Sequence, residues 1–170
     1  MRRTLTILIG VAATATMITG AGVAAATTSH PASPRPAATR IQHFQLMTTS
    51  ATSNKESIIA LGSVFTAGGV DHSGNTVDRV VFPGGTFKIR HSPGKGPQHF
   101  NAKTCLITIN QHGTYTIGNG TGRFKGISGH GKYRFSIVAV GARNSKHKCS
   151  QSKPPVAFQQ VIKAQGPLKL

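Results

Sequence analysis

Beyond Arg40 the chain alternates in twos and does not keep the three-to-four rhythm of an amphipathic helix. Phe87 and Ile89 are interleaved with Lys88 and Arg90, and Tyr133 and Phe135 with Lys132 and Arg134. Successive side chains of a strand point to opposite faces, so each segment has one oily and one cationic face. Similar short runs recur between clusters of Gly, Pro, Ser and Asn. They predict roughly eight strands: Ile41 to Thr49, Ser57 to Thr66, Val77 to Phe82, Thr86 to His91, Lys103 to Asn110, Gly113 to Gly118, His130 to Val140 and Val156 to Ala164. Breaks are expected at Gly68-Gly69, Ser73-Gly74-Asn75, Pro83-Gly84-Gly85, Pro93 to Pro97 and Pro154-Pro155. An all-β domain of this kind buries one face as a sandwich or as a closed barrel. Closure also removes exposed edges, so the antiparallel barrel is the expectation.

The first residues belong to a different regime. Arg2 and Arg3 precede an uncharged stretch from Leu5 to Ala26 that ends in Ala24-Ala25-Ala26, the pattern of a cleaved export signal over residues 1–26. A retained membrane anchor is the competing reading, but Thr and Gly interrupt the run and its Ala-rich end suits cleavage, which would leave no membrane span. Residues 27–40 carry Pro31, Pro34 and Pro36 among Ala, Ser and Thr and read as a linker. Residues 41–170 then form one domain, expected to be secreted and extracellular.

Cys105 and Cys149 are the only cysteines, and an even count in an exported chain predicts a disulfide between them. The chain has 20 Lys plus Arg against 3 Asp plus Glu, a net charge of +17. Such a surface attracts anions, although charge also serves solubility alone. The candidate anion-binding residues are Lys88, Arg90, Lys132 and Arg134 on the strands, with Arg143, Lys146, Lys148 and Lys153 around Cys149. Sequence-specific nucleic-acid binding is disfavoured, because Phe87, Tyr133 and Phe135 face away from these cations and cannot stack bases beside them.

Residues 117 to 129 read Ile117-Gly118-Asn119-Gly120-Thr121-Gly122-Arg123-Phe124-Lys125-Gly126-Ile127-Ser128-Gly129. This resembles the I-x-G-G-T-G-x-F-x-G-A-x-G segment of dirigent proteins and allene oxide cyclases, with Gly120, Thr121, Gly122, Phe124, Gly126 and Gly129 matching. Asn119 and Ile127 depart from it. The resemblance implies an eight-stranded, calycin-like antiparallel barrel, nearest to secreted bacterial proteins with an allene-oxide-cyclase-like barrel. Phe82-Pro83-Gly84-Gly85-Thr86 is similar to a strand junction of that group. The family's catalytic residues lie outside the motif and find no counterpart here, and with only Glu56, Asp71 and Asp78 available, acidic catalysis has few groups to draw on.

Other chemistry is weaker still. Gly126, Gly131 and Lys132 have phosphate-loop spacing, but Tyr133 stands where Ser or Thr must hold magnesium. His130 spoils a nucleophile elbow at Gly126 to His130. Asp71 to Asp78 offers calcium too few carboxylates and reads as a hairpin turning at Ser73-Gly74-Asn75. The eight histidines (His30, His43, His72, His91, His99, His112, His130 and His147) read as scattered surface residues, so no metal and no cofactor is expected.

The reading that follows is a secreted, basic, non-enzymatic binding barrel. Its partner is an anionic cell-wall or glycan polymer on the outside, or a hydrophobic small molecule within. An isomerase or cyclase of hydrophobic substrates and a purely structural secreted protein are the alternatives.

Overall fold

The structure, a computed structural model, describes residues 40–150 and 152–170. The expected signal and nearly all of the linker lie outside the described residues. Nine strands form: β1 (Ile41–Thr48), β2 (Lys55–Gly62), β3 (Ala67–His72), β4 (Val77–Phe82), β5 (Gly85–His91), β6 (Gln98–Asn101), β7 (Leu106–Gly118), β8 (Ser128–Val140) and β9 (Ala157–Lys169). From β1 to β5 each strand pairs antiparallel with the next; β5 pairs with β7, and β9 returns to β1, closing eight strands into a barrel. Short β6 lies outside that circuit and runs beside the start of β7.

Two predicted breaks are strand interior. Gly68 and Gly69 lie within β3, where a Cβ on Gly69 would sit 2.3 Å from the Val81 carbonyl oxygen and 2.6 Å from Phe82 Cδ1. Glycine there permits close approach to β4 and does not mark a turn. The two segments expected over 103–110 and 113–118 are one strand, β7, because a side chain on Gly113 would occupy the place of the Tyr133 ring, 2.6 Å from its Cε1. A missed strand and a split one cancel, which is why the expected number agrees with the barrel. β2 begins and ends earlier than the predicted 57–66. Buried Gln42 draws residue 65 away from the strand, donating to the Phe65 carbonyl (2.9 Å) and accepting the Phe65 N–H (3.3 Å).

The core fills one end of the barrel. Phe124 is fully buried against Phe65 (5.2 Å between ring centroids), Phe87 (5.4 Å) and Phe82 (6.0 Å). The reversal between β7 and β8 is built for it. A Cβ on Gly120 would lie 1.7 Å from the Phe124 carbonyl oxygen, and Gly122 at φ +56° packs against Gly84. Asn119 also adopts a left-handed φ of 56°, a conformation asparagine tolerates better than most residues. Cys105 and Cys149 are bonded, with Cα atoms 5.4 Å apart, tying the loop after β8 to the start of β7.

Candidate functional site

The other end of the barrel is hollow. A cavity of about 310 Å³ opens there, its wall formed by Phe44, Leu46, Ile89, Tyr115, Phe135 and Ile162 together with a cluster of acids. The alternation of each strand places these groups inward. On β2, Glu56 takes the inward position that Ile58 and Ala60 take further along; on β4, Asp78 precedes inward Val80 and Phe82. Glu56 and Asp71 are directly opposed in the β2–β3 register. All three carboxylate side chains of a chain with net charge +17 therefore line one cavity, and no Lys or Arg lines it.

Two of these acids are nearly closed off from solvent: Glu56 is 6 % and Asp71 1 % exposed. The Ser73 hydroxyl lies 3.0 Å from Glu56 Oε1 and 3.2 Å from Asp71 Oδ2. It has a single hydrogen and can donate to only one of them at a time. Gln160 Nε2 donates a second hydrogen bond to Glu56 Oε1. Glu56 Oε2 and Asp71 Oδ1 are buried and accept none. Burial, then the neighbouring Asp78 and Glu56 charges, push the Asp71 carboxyl up to about 7. Glu56 is also raised, chiefly by burial, with the Ser73 and Gln160 hydrogen bonds opposing. Asp78 is better served: its Oδ1 accepts the Gly74 N–H (2.9 Å) and lies 3.5 Å from His91 Nε2.

Two tyrosines complete the wall. Burial raises Tyr115 to about 12, so its phenol stays protonated near neutral pH. Tyr133 donates to the Ser92 carbonyl (2.8 Å), which holds the loop after β5 over the cavity rim. The site thus joins an apolar wall to a carboxyl that exchanges its proton near neutrality, the combination that favours small-molecule binding and proton transfer. Comparison with known proteins adds no relative: no family model, curated protein or solved structure matches the chain.

None of the residues singled out from sequence as binding candidates lines this cavity. Lys88, Arg90, Lys132 and Arg134 are exposed on the outer wall, as their alternation implies. Arg143, Lys146, Lys148 and Lys153 are exposed near the disulfide, and Arg143 is committed to the carbonyls of His147 and Lys103. The turn-motif glycines and Phe124 sit at the filled end, remote from the acids along the strands. His91 departs from the scattered-surface expectation by facing the cavity, but among the described residues no three His, Cys, Asp or Glu side chains are grouped to hold a metal ion. Sequence reasoning treated the scarcity of acids as evidence against a site. The signal available was positional: Glu56 and Asp78 occupy apolar-phase positions of alternating strands, where a carboxylate needs a reason to be.

Proposed function

We propose that the barrel binds a small, largely hydrophobic molecule in its open end, with the polar part of the ligand on the Glu56–Asp71 pair. The observation that carries this reading is the pairing of an apolar cavity with two buried carboxylate oxygens that accept no hydrogen bond. Leaving such groups unsatisfied costs about 1–3 kcal/mol each, and a ligand that fills them recovers that cost. The fold and the turn from Gly120 to Gly129 agree with an allene-oxide-cyclase-like or dirigent-like barrel, and the Cys105–Cys149 bond agrees with a secreted protein. Titration with 1-octanol, followed by methyl NMR, tests the reading. Leu46, Ile89 and Ile162 should shift, and Ala164→Phe, which crowds the cavity, should abolish the shifts. Lining methyls that do not respond would refute it.

The near-neutral Asp71 supports a second reading for the same cavity, an acid–base isomerase or cyclase of hydrophobic substrates, since a general acid works best with a pKa near the ambient pH. Turnover that disappears in Asp71→Asn while binding persists would favour it.

The outer wall supports an additional partner. Lys55, His72, Arg79 and Lys88 are directly opposed on four successive strands, and His112, Arg134 and Lys163 on three more. Like charges opposed across strands, as in Arg79–Lys88 and Arg134–Lys163, destabilise a sheet, and here no acidic side chain faces outward to relieve them. A polyanion such as teichoic acid, an acidic glycan or released DNA would supply the missing countercharge.

A further inference from the structure

The acid cluster says more about the ligand than that it is hydrophobic. Four carboxylate oxygens of Glu56 and Asp71 share two donors, the Ser73 hydroxyl and the Gln160 amide, and two of the oxygens receive nothing. A neutral alcohol brings one hydrogen and no charge. An ammonium group brings three hydrogens and a positive charge. A metal ion is not the better partner, since among the described residues no three His, Cys, Asp or Glu side chains are grouped to hold one. The protein has kept all of its own Lys and Arg off the cavity wall while gathering every acidic side chain there, and His91 lies beside Asp78, so Glu56 and Asp71 are the acids left to an outside cation.

Resting on the small-molecule reading above, we propose that the ligand class is a primary amine with a short apolar body, its ammonium seated between Glu56 and Asp71 and its carbon chain along Leu46, Ile89 and Ile162. Before binding, Glu56, with the Gln160 amide and a share of the Ser73 hydroxyl, is the better-served carboxylate, and Asp71 is the one that retains a proton near neutrality. Entry of the ammonium replaces that proton: the Asp71 O–H bond breaks, the proton leaves to solvent, and the carboxylate oxygen accepts an ammonium N–H. The other groups facing Asp71 are Asp78 of β4, His91 of β5, Tyr115 of β7 and Tyr133 of β8. Asp78 adds to the negative field, the tyrosines stay neutral, and His91 is held toward Asp78.

The test is calorimetry of the purified protein with n-octylamine and with 1-octanol, at pH 5, pH 6.5 and pH 8 and in buffers of different ionisation enthalpy. Octylamine should bind at least tenfold more tightly than octanol at pH 8, with proton release on binding at pH 6 to 7, and its advantage should shrink at pH 5. Asp71→Asn should lose most of that advantage, octylamine losing far more affinity than octanol. Glu56→Gln provides an independent variant that should lose it too. Equal affinity for amine and alcohol at pH 8, or amine binding without proton release, overturns the ammonium assignment and leaves the cavity reading standing. Absence of binding by both compounds overturns the two together.

Discussion

Glu56 and Asp71 face each other across the β2–β3 ladder inside the barrel, with the single Ser73 hydroxyl within reach of both. Two acids this close, buried and short of donors, do not both ionise without cost. The arrangement makes the stability of the protein depend on pH. Between the ordinary aspartate range and about 7, folded Asp71 holds a proton that the unfolded chain has released, so its contribution to stability falls as pH rises through that window.

Asp71→Asn keeps the shape of the side chain and removes the titration. It should stabilise the protein at pH 8 by on the order of a few kcal/mol, and the gain should shrink as pH falls and vanish toward pH 4. Denaturant unfolding of both proteins across pH checks this. The difference between them cancels the titration of the many histidines, and a pH-independent difference would show that Asp71 ionises normally.

Phe124→Ala should cost about 3–5 kcal/mol, since the ring is fully buried among Phe65, Phe82 and Phe87. Gly120→Ala should be at least as damaging, because its methyl has no space beside the Phe124 carbonyl. Thermal unfolding measures both. An unchanged melting temperature for Phe124→Ala would contradict the packing.

Removing the disulfide with Cys105→Ser and Cys149→Ser should cost up to about 4 kcal/mol in the chain-entropy account. The destabilisation should be uneven. Amide exchange should accelerate at Leu106 to Ile109 and Val138 to Val140, next to the bond, and change little around the phenylalanine cluster. Uniform acceleration would mean that the bond supports the whole barrel.

Neutralising the outer ladder with Lys55→Gln, Arg79→Gln and Lys88→Gln should weaken binding to heparin or DNA and flatten its salt dependence, by roughly 0.9 in log–log slope for each DNA phosphate that is no longer neutralised. The same triple change should raise stability slightly, by about 0.2–1 kcal/mol for each relieved pair. Binding that survives intact would return the charge to a role in solubility. Neutralising Lys146, Lys148 and Lys153 in parallel distinguishes the strand wall from the loop beside Cys149.

The strands whose outward residues are cationic, β5 and β8, were legible because charge and apolar groups alternate there. β3 was not, because Gly68-Gly69 has the composition of a turn, and only the nearness of Val81 and Phe82 shows why glycine is required. Gly113 misled for the same reason, its missing side chain being replaced by the Tyr133 ring of the neighbouring strand. The filled end could be read from Gly120 to Gly129, where the turn and its anchor are contiguous in sequence. The acid cluster could not, since Glu56, Asp71 and Asp78 meet only through the register of β2, β3 and β4, and register is set by pairings that a single strand does not display.

The pairing of β1 with β9 has a consequence for how the protein reaches this state. Ile41 sits opposite Pro167, and the Leu168 N–H donates to the Arg40 carbonyl, so the two ends of the domain are hydrogen-bonded neighbours. β9 is also the partner of β8, which leaves both neighbouring strands with an open edge until the last residues of the domain are present. A chain still emerging from the ribosome therefore has a curved, incomplete sheet whose final pairings span almost the whole domain. Pairings of such long sequence separation are entropically slow to form. Folding of the domain is expected to await its last strand, with closure of the β1–β9 seam as its slow step.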